Sequence, residues 1–163
     1  MNSNLIGKFS IGLWIVTVLT LGYFFYFGST SRSLDDRTAI HLTPAERQLV
    51  LTEMRALLTS VNGILSGLAE KDYERAAKAA DAVGMGLVAS LENQEKTILL
   101  KLPVEFKKLG FGTHEKFDEI AAKIRKKQDI HTLLKEMDEL TRNCVACHAS
   151  YKIEIESEKN NSK

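Results

Sequence analysis

The chain has 163 residues with a formal net charge of +1, two prolines and two cysteines. Once an uncharged stretch from Phe9 to Ser31 is set aside, the remainder suits one mainly helical domain. Its basic residues (the chain's 22 less Lys8) match its 21 acidic ones, so there is no electrostatic footprint for nucleic acid, and two cysteines in a single pentapeptide exclude a disulfide-stapled scaffold.

Residues 1–31 read as a membrane anchor or signal segment. Ile11 to Phe27 runs IGLWIVTVLTLGYFFYF, and about 20 apolar residues at helical rise are enough to cross the hydrocarbon core. The aromatic cluster from Tyr23 to Phe27 suits a membrane interface. A cleaved secretory signal would have a shorter apolar core and an A-x-A-like site. Gly28-Ser29-Thr30-Ser31 lacks that pattern, so a retained anchor over residues 9–31 is favoured. Lys8 before the span and Arg32 and Arg37 after it give only a weak positive-inside signal, but the short N-terminus leaves the larger part outside the cytoplasm. Residues 32–42 read as a polar tether.

The domain expected over 43–156 opens on Thr43-Pro44-Ala45-Glu46, a capping box with proline at the first helical position. Val50, Met54, Leu57, Val61, Ile64 and Leu68 then recur at spacings of four and three, predicting a helix to Leu68 or Ala69. A second helix is predicted from Asp72 to Leu100. Its many small residues suit close approach by another helix, a second subunit or a flat cofactor, and equally reflect helix propensity with a weak point at Gly84 and Gly86. Pro103, Gly110 and Gly112 mark a loop. A third helix follows from Thr113 to Lys127, ending in a basic run that favours the helix dipole. A fourth, from Asp129 to Ile155, carries Leu133, Met137, Leu140, Cys144, His148, Tyr151 and Ile155 on one stripe. Residues 157–163 are a polar tail. The expected fold is all-α: an antiparallel four-helix bundle behind an N-terminal transmembrane helix.

Cys144-Val145-Ala146-Cys147-His148 carries the chemistry. C-x-x-C-H is the attachment signature of c-type haem. Two thiols about one helical turn apart can form thioethers to the vinyl edges of one porphyrin while the adjacent imidazole reaches the iron. A thioredoxin-like pair would belong with a strand-helix pattern, and zinc would need a fourth ligand that His41, His114 and His131 are not spaced to supply. The expected cofactor is therefore one haem c, covalent through Cys144 and Cys147, with His148 on the iron.

This motif lies near the C-terminus, on the last of four expected helices, and is followed by Tyr151 and Lys152. In these features the chain resembles the class II cytochromes c, the cytochrome c′ family, over about Thr43 to Lys152. Low-spin members of that family ligate the second face of the iron with a methionine of the first helix, preceded one turn earlier by an arginine. Arg47 and Met54 are similar but nearly two turns apart. Aligning Arg47 with the family arginine puts Leu51 at the ligand position, as in high-spin members. The resemblance thus implies Met54 as second ligand, against its plain role as a core residue. It implies a haem propionate as the anion for Arg47, which snorkelling or an acidic side chain would equally satisfy. Lys152 matches a basic residue beside the proximal histidine.

With His148 and Met54 both on iron, the site is closed and suits one-electron shuttling to redox partner proteins at the periplasmic face of a bacterial inner membrane, without catalysis. With Met54 only packing, a five-coordinate haem would bind NO or CO. A homodimer through the first two helices is open on either reading.

Overall fold

The computed structural model describes residues 3–95 and 97–156; the expected tail at 157–163 lies outside them. Six α-helices are described: α1 (Ser3–Phe27), α2 (Pro44–Ala69), α3 (Tyr73–Asp81), α4 (Met85–Glu95), α5 (Val104–Arg125) and α6 (Ile130–Ser150). A 3-10 turn covers Ile98–Leu100, and a sheet is built from β1 (Thr30–Arg32), β2 (Thr38–Leu42) and β3 (Tyr151–Ile155). The protein is mainly helical, and one helix, over Gly7–Phe27, is long and apolar enough to cross a membrane.

The start of α2 follows its sequence signal closely. Thr43 Oγ1 accepts from the Glu46 amide at 3.3 Å, and Glu46 Oε2 accepts from the Thr43 amide at 2.8 Å. The α2 stripe then divides between two apolar clusters. Ile64 and Leu68 join Ala76, Ala77, Ala80, Phe117, Ile120, Ile124, Leu133 and Leu140 in the larger one. Val50 joins Ile40, Leu42, Ile98, Leu102 and Phe106 in the smaller one, against which Met54, Cys147, Tyr151 and Ile153 pack.

In the larger cluster α3 lies against both α2 and α5, and α5 against α6. The α2–α3 contact is close because it is built from small residues. A Cβ at Gly67 would lie 2.8 Å from both the Cβ and the amide nitrogen of Ala76, and one at Gly63 would lie 2.9 Å from the Ala79 Cβ. The small-residue face of the second predicted helix thus receives another helix of the same chain.

Three boundaries differ from the sequence reading. The helix expected over Asp72–Leu100 breaks at Gly84, where a side chain would collide with the Asp118 carboxylate. That carboxylate instead accepts from the Met85 amide at 2.9 Å and starts α4. The third long helix, α5, begins at Val104 and runs through Gly110 and Gly112; burial of Phe106 outweighs the cost of two glycines, roughly 1 kcal/mol each. The last helix, α6, stops at Ser150, and Tyr151–Ile155 forms a strand.

The expected tether over 32–42 is also corrected. Arg32 closes β1, and Thr38–Leu42 is the central strand of the sheet, antiparallel to β1 and parallel to β3. Ala39, Ile40 and Leu42 are fully buried. An all-α description therefore holds for the bulk of the chain but omits this sheet.

The junction with α1 is firm. Gly28 has φ +70°, its amide caps α1 through the Phe24 carbonyl at 2.9 Å, and a Cβ there would strike the Lys101 carbonyl. The next amide, of Ser29, donates to that same carbonyl at 2.7 Å. Buried Lys107 donates from Nζ to the Phe25 carbonyl at 2.7 Å and to the Leu99 carbonyl at 3.2 Å, and lies 3.8 Å from the Phe25 ring centroid. A cation on the last carbonyls of α1 is favoured by the helix dipole, so α1 is docked to the domain rather than strung from it.

Two ionic clusters fasten the rest. Lys116 and Lys123 of α5 reach Glu136 of α6 at 2.8 and 2.6 Å, and these bonds hold the Glu136 carboxyl below its usual range. Arg125 pairs with Asp81 of α3. Two members of the basic run are thereby spent on packing between helices.

Candidate functional site

The C-terminal end of α6 and the strand after it form one wall of a cleft of about 160 Å3, partly open to solvent. Cys147 and His148 come from the last turn of α6, and Tyr151, Lys152 and Ile153 from β3. The opposite wall is Leu51 and Met54 of α2, with Phe106 of α5 between. Phe106 and Tyr151 meet edge to face, ring centroids 5.3 Å apart, which closes the apolar floor.

Four of the six residues singled out by sequence thus line one cleft: Met54, Cys147, His148 and Lys152. Cys144, one turn earlier on α6, is half-buried and does not line it; its Sγ donates to the Leu140 carbonyl at 3.9 Å. Arg47 is half-buried in the first turn of α2, also outside the lining, and among the described residues it has no ion pair.

Both cysteines are free, and burial pushes both thiols above their ordinary pKa. Reactive thiols are shifted the other way by nearby positive charge. Among the described residues no three His, Cys, Asp or Glu side chains gather as a metal-ion site. The arrangement offers one imidazole and one thioether from facing walls, with a thiol beside the imidazole.

The cleft mouth carries two cations, and one was missed by sequence reading. Arg37, in the segment read as tether, donates from Nη1 to the His148 carbonyl at 3.4 Å. It also clasps Asp35 through Nε at 2.9 Å and Nη2 at 2.6 Å, which holds the Asp35 carboxyl far below its usual range. Lys152 lies 2.6 Å from Glu154 and 4.0 Å from Asp35. Phe106 and Ile153 were likewise missed. Ile153 had a signal, the alternation of apolar and polar residues after Ser150; Phe106 had none, because the glycines beyond it read as a loop. Comparison with family models, with curated proteins and with solved structures finds no match for this chain.

Proposed function

We propose that this chain is a membrane-anchored electron-transfer protein carrying one haem c in a bundle of the cytochrome c′ type, its four helices being α2, α3 with α4, α5 and α6. Cys144 and Cys147 would hold the macrocycle through thioethers, His148 would bind the iron, and Met54 would bind its opposite side. The observation that carries this reading is that Met54 of α2 and the Cys147-His148 pair of α6, far apart in sequence, line the same cleft.

The surrounding residues have matching roles. Leu51, Phe106, Tyr151 and Ile153 exclude water from the cleft floor. Lys152 and Arg37 offer positive charge for propionates, and Asp35 competes for both. Arg47 remains available to a second carboxylate. When bound, the haem supplies one-electron exchange, and thioether ligation raises its reduction potential. The anchor would keep the protein among membrane redox partners, on the periplasmic side of a bacterial inner membrane, and a dimer would use the exposed Leu58 and Leu65 of α2.

A specific observation favours one alternative. Leu51 lines the cleft as Met54 does, and with Leu51 over the iron the haem would be five-coordinate and bind NO or CO. A thiol-disulfide enzyme is disfavoured by the raised thiol pKa values. Absorption spectra of the reduced protein with and without CO separate these. A low-spin spectrum unmoved by CO supports His/Met electron transfer, and a high-spin spectrum shifted by CO supports gas binding. A colourless protein sinks both. On the first reading Met54→Ala converts the first spectrum into the second; if it stays low-spin, the ligand is another residue.

A further inference from the structure

The apolar stretch of α1, Gly7–Phe27, has 21 residues. At helical rise that is about 32 Å, close to the ~30 Å of a hydrocarbon core. On the anchor reading no length is to spare, so Phe27 stands at the edge of the hydrocarbon and Phe25 about 3 Å inside it. Whatever is bonded to Phe25 stands at that edge too.

The domain meets α1 there, through the 3-10 turn Ile98–Leu100 and the start of α5. Lys107 Nζ donates to the Phe25 carbonyl at 2.7 Å and the Leu99 carbonyl at 3.2 Å, and sits 3.8 Å from the Phe25 ring centroid. Two carbonyls and a ring face replace water around this buried ammonium, which suits a place where water is scarce. Ile98 and Leu102 are buried, but Leu100 between them is 43% exposed. Lys108, the next residue of α5, is exposed and within electrostatic reach of Tyr26. Its pair with Glu105 at 2.8 Å is open to solvent on both sides, so it holds the ammonium only weakly.

We propose that this end of the domain rests in the interface of the phospholipid bilayer that α1 crosses, with Leu100 at the edge of the acyl chains and Lys108 reaching the phosphates. The inference rests on the anchor reading and deepens it. Leu100 gains an apolar neighbour, and the lysine stem covers apolar surface while its head stays at the phosphates. The exposed rings of Tyr23, Tyr26 and Phe27 belong at the same level. Lipid is favoured as occupant because α1 itself brings this face to the bilayer. A protein partner would find one leucine and one paired lysine.

The test is fluorescence quenching of the full chain in phosphatidylcholine–phosphatidylglycerol vesicles with bromines placed either near the headgroups or at the acyl-chain ends. Trp14 is the one tryptophan and reads the anchor: it should be quenched most by bromines at the chain ends. Trp14→Phe combined with Leu100→Trp moves the tryptophan to the turn. It should then lose roughly half its emission to bromines near the headgroups and less to those at the chain ends. Lys108→Trp in the same background repeats the measurement if Leu100→Trp alters the far-UV circular dichroism. Ile130→Trp, beyond the far end of α5 and about 33 Å of helix away, should lose none. Turn probes that no bromine quenches, with Trp14 quenched as expected, overturn the inference and leave the anchor standing. Equal quenching at Ile130→Trp overturns it as well, since the domain would then lie on another face. An unquenched Trp14 removes the anchor reading, and this inference with it.

Discussion

Gly67 and Gly112 both lie inside helices, yet adding a methyl group to each should change stability in opposite directions. In either helix Ala is favoured over Gly by about 1 kcal/mol. At Gly112 the new Cβ has nothing within 4 Å, so Gly112→Ala should stabilise by about that amount. At Gly67 it would lie 2.8 Å from the Ala76 amide nitrogen and 3.0 Å from its Cα. Backbone cannot rotate away as a side-chain tip can, so α2 and α3 must separate by several tenths of an ångström. Overpacking of this kind costs roughly 1–3 kcal/mol, and subtracting the propensity gain of about 1 kcal/mol leaves a net loss of up to about 2 kcal/mol. Gly63→Ala, which meets only the Ala79 methyl, should fall between the two. Denaturant titration of the full chain in detergent, followed by far-UV circular dichroism, gives the three midpoints. Gly67→Ala matching or exceeding Gly112→Ala in stability would refute the close α2–α3 packing.

The other predictions concern the site, the ionic core and the junction. Replacing both Cys144 and Cys147 by Ser should abolish haem that survives a denaturing gel, and colour retained there would defeat covalent attachment. Glu136→Gln should cost about 2 kcal/mol at neutral pH, since it leaves two lysines without their shared, largely buried carboxylate. The Glu136 carboxyl titrates below its unfolded value of 4.5, so its contribution is complete above that pH and is lost as pH falls through the lower folded value. The gap between wild type and variant should therefore shrink in acid, and a gap that widens would contradict the pairing. Gly28→Ala forces a side chain into left-handed backbone and against the Lys101 carbonyl. Protease cutting between residues 28 and 37 should rise while the circular dichroism of the domain is retained.

Elements whose signals lie within one helical turn were legible in the sequence. The capping box at Thr43 and the four-three spacing after it define α2, and the apolar run defines α1. The misread segments are those where two periods compete. Cys144, His148, Tyr151 and Ile155 satisfy a helical stripe, while Tyr151-Lys152-Ile153-Glu154-Ile155 equally satisfies the alternation of a strand. The parallel partner that decides between them, Thr38–Leu42, lies over a hundred residues earlier and carries its own alternation at Ile40 and Leu42. Pairing of this range is invisible to local pattern. Gly110 and Gly112 misled for the opposite reason, since propensity is a weak term that burial of Phe106, Phe117 and Ile120 overrides. At the site, residue types in the pentapeptide were legible, but the second cation, Arg37, depends on that same long-range pairing.

The sheet also fixes how the cleft stands relative to α1. From the end of α1 the chain passes through Gly28 into β1 and β2, and β2 pairs along its whole length with the strand that directly follows His148 and Cys147. Arg37, immediately before β2, reaches the His148 carbonyl, while Lys101 ties the start of α2 to the end of β3 through Glu46 and Glu156, each at 2.8 Å. Desolvation opposes the charge on Lys101, but its two carboxylates raise its pKa overall, so this tie holds through neutral pH. The cleft is therefore connected to α1 by a short run of backbone hydrogen bonds and buried side chains. A flexible tether would let the cleft sample many orientations. This junction instead holds the cleft in one orientation relative to α1.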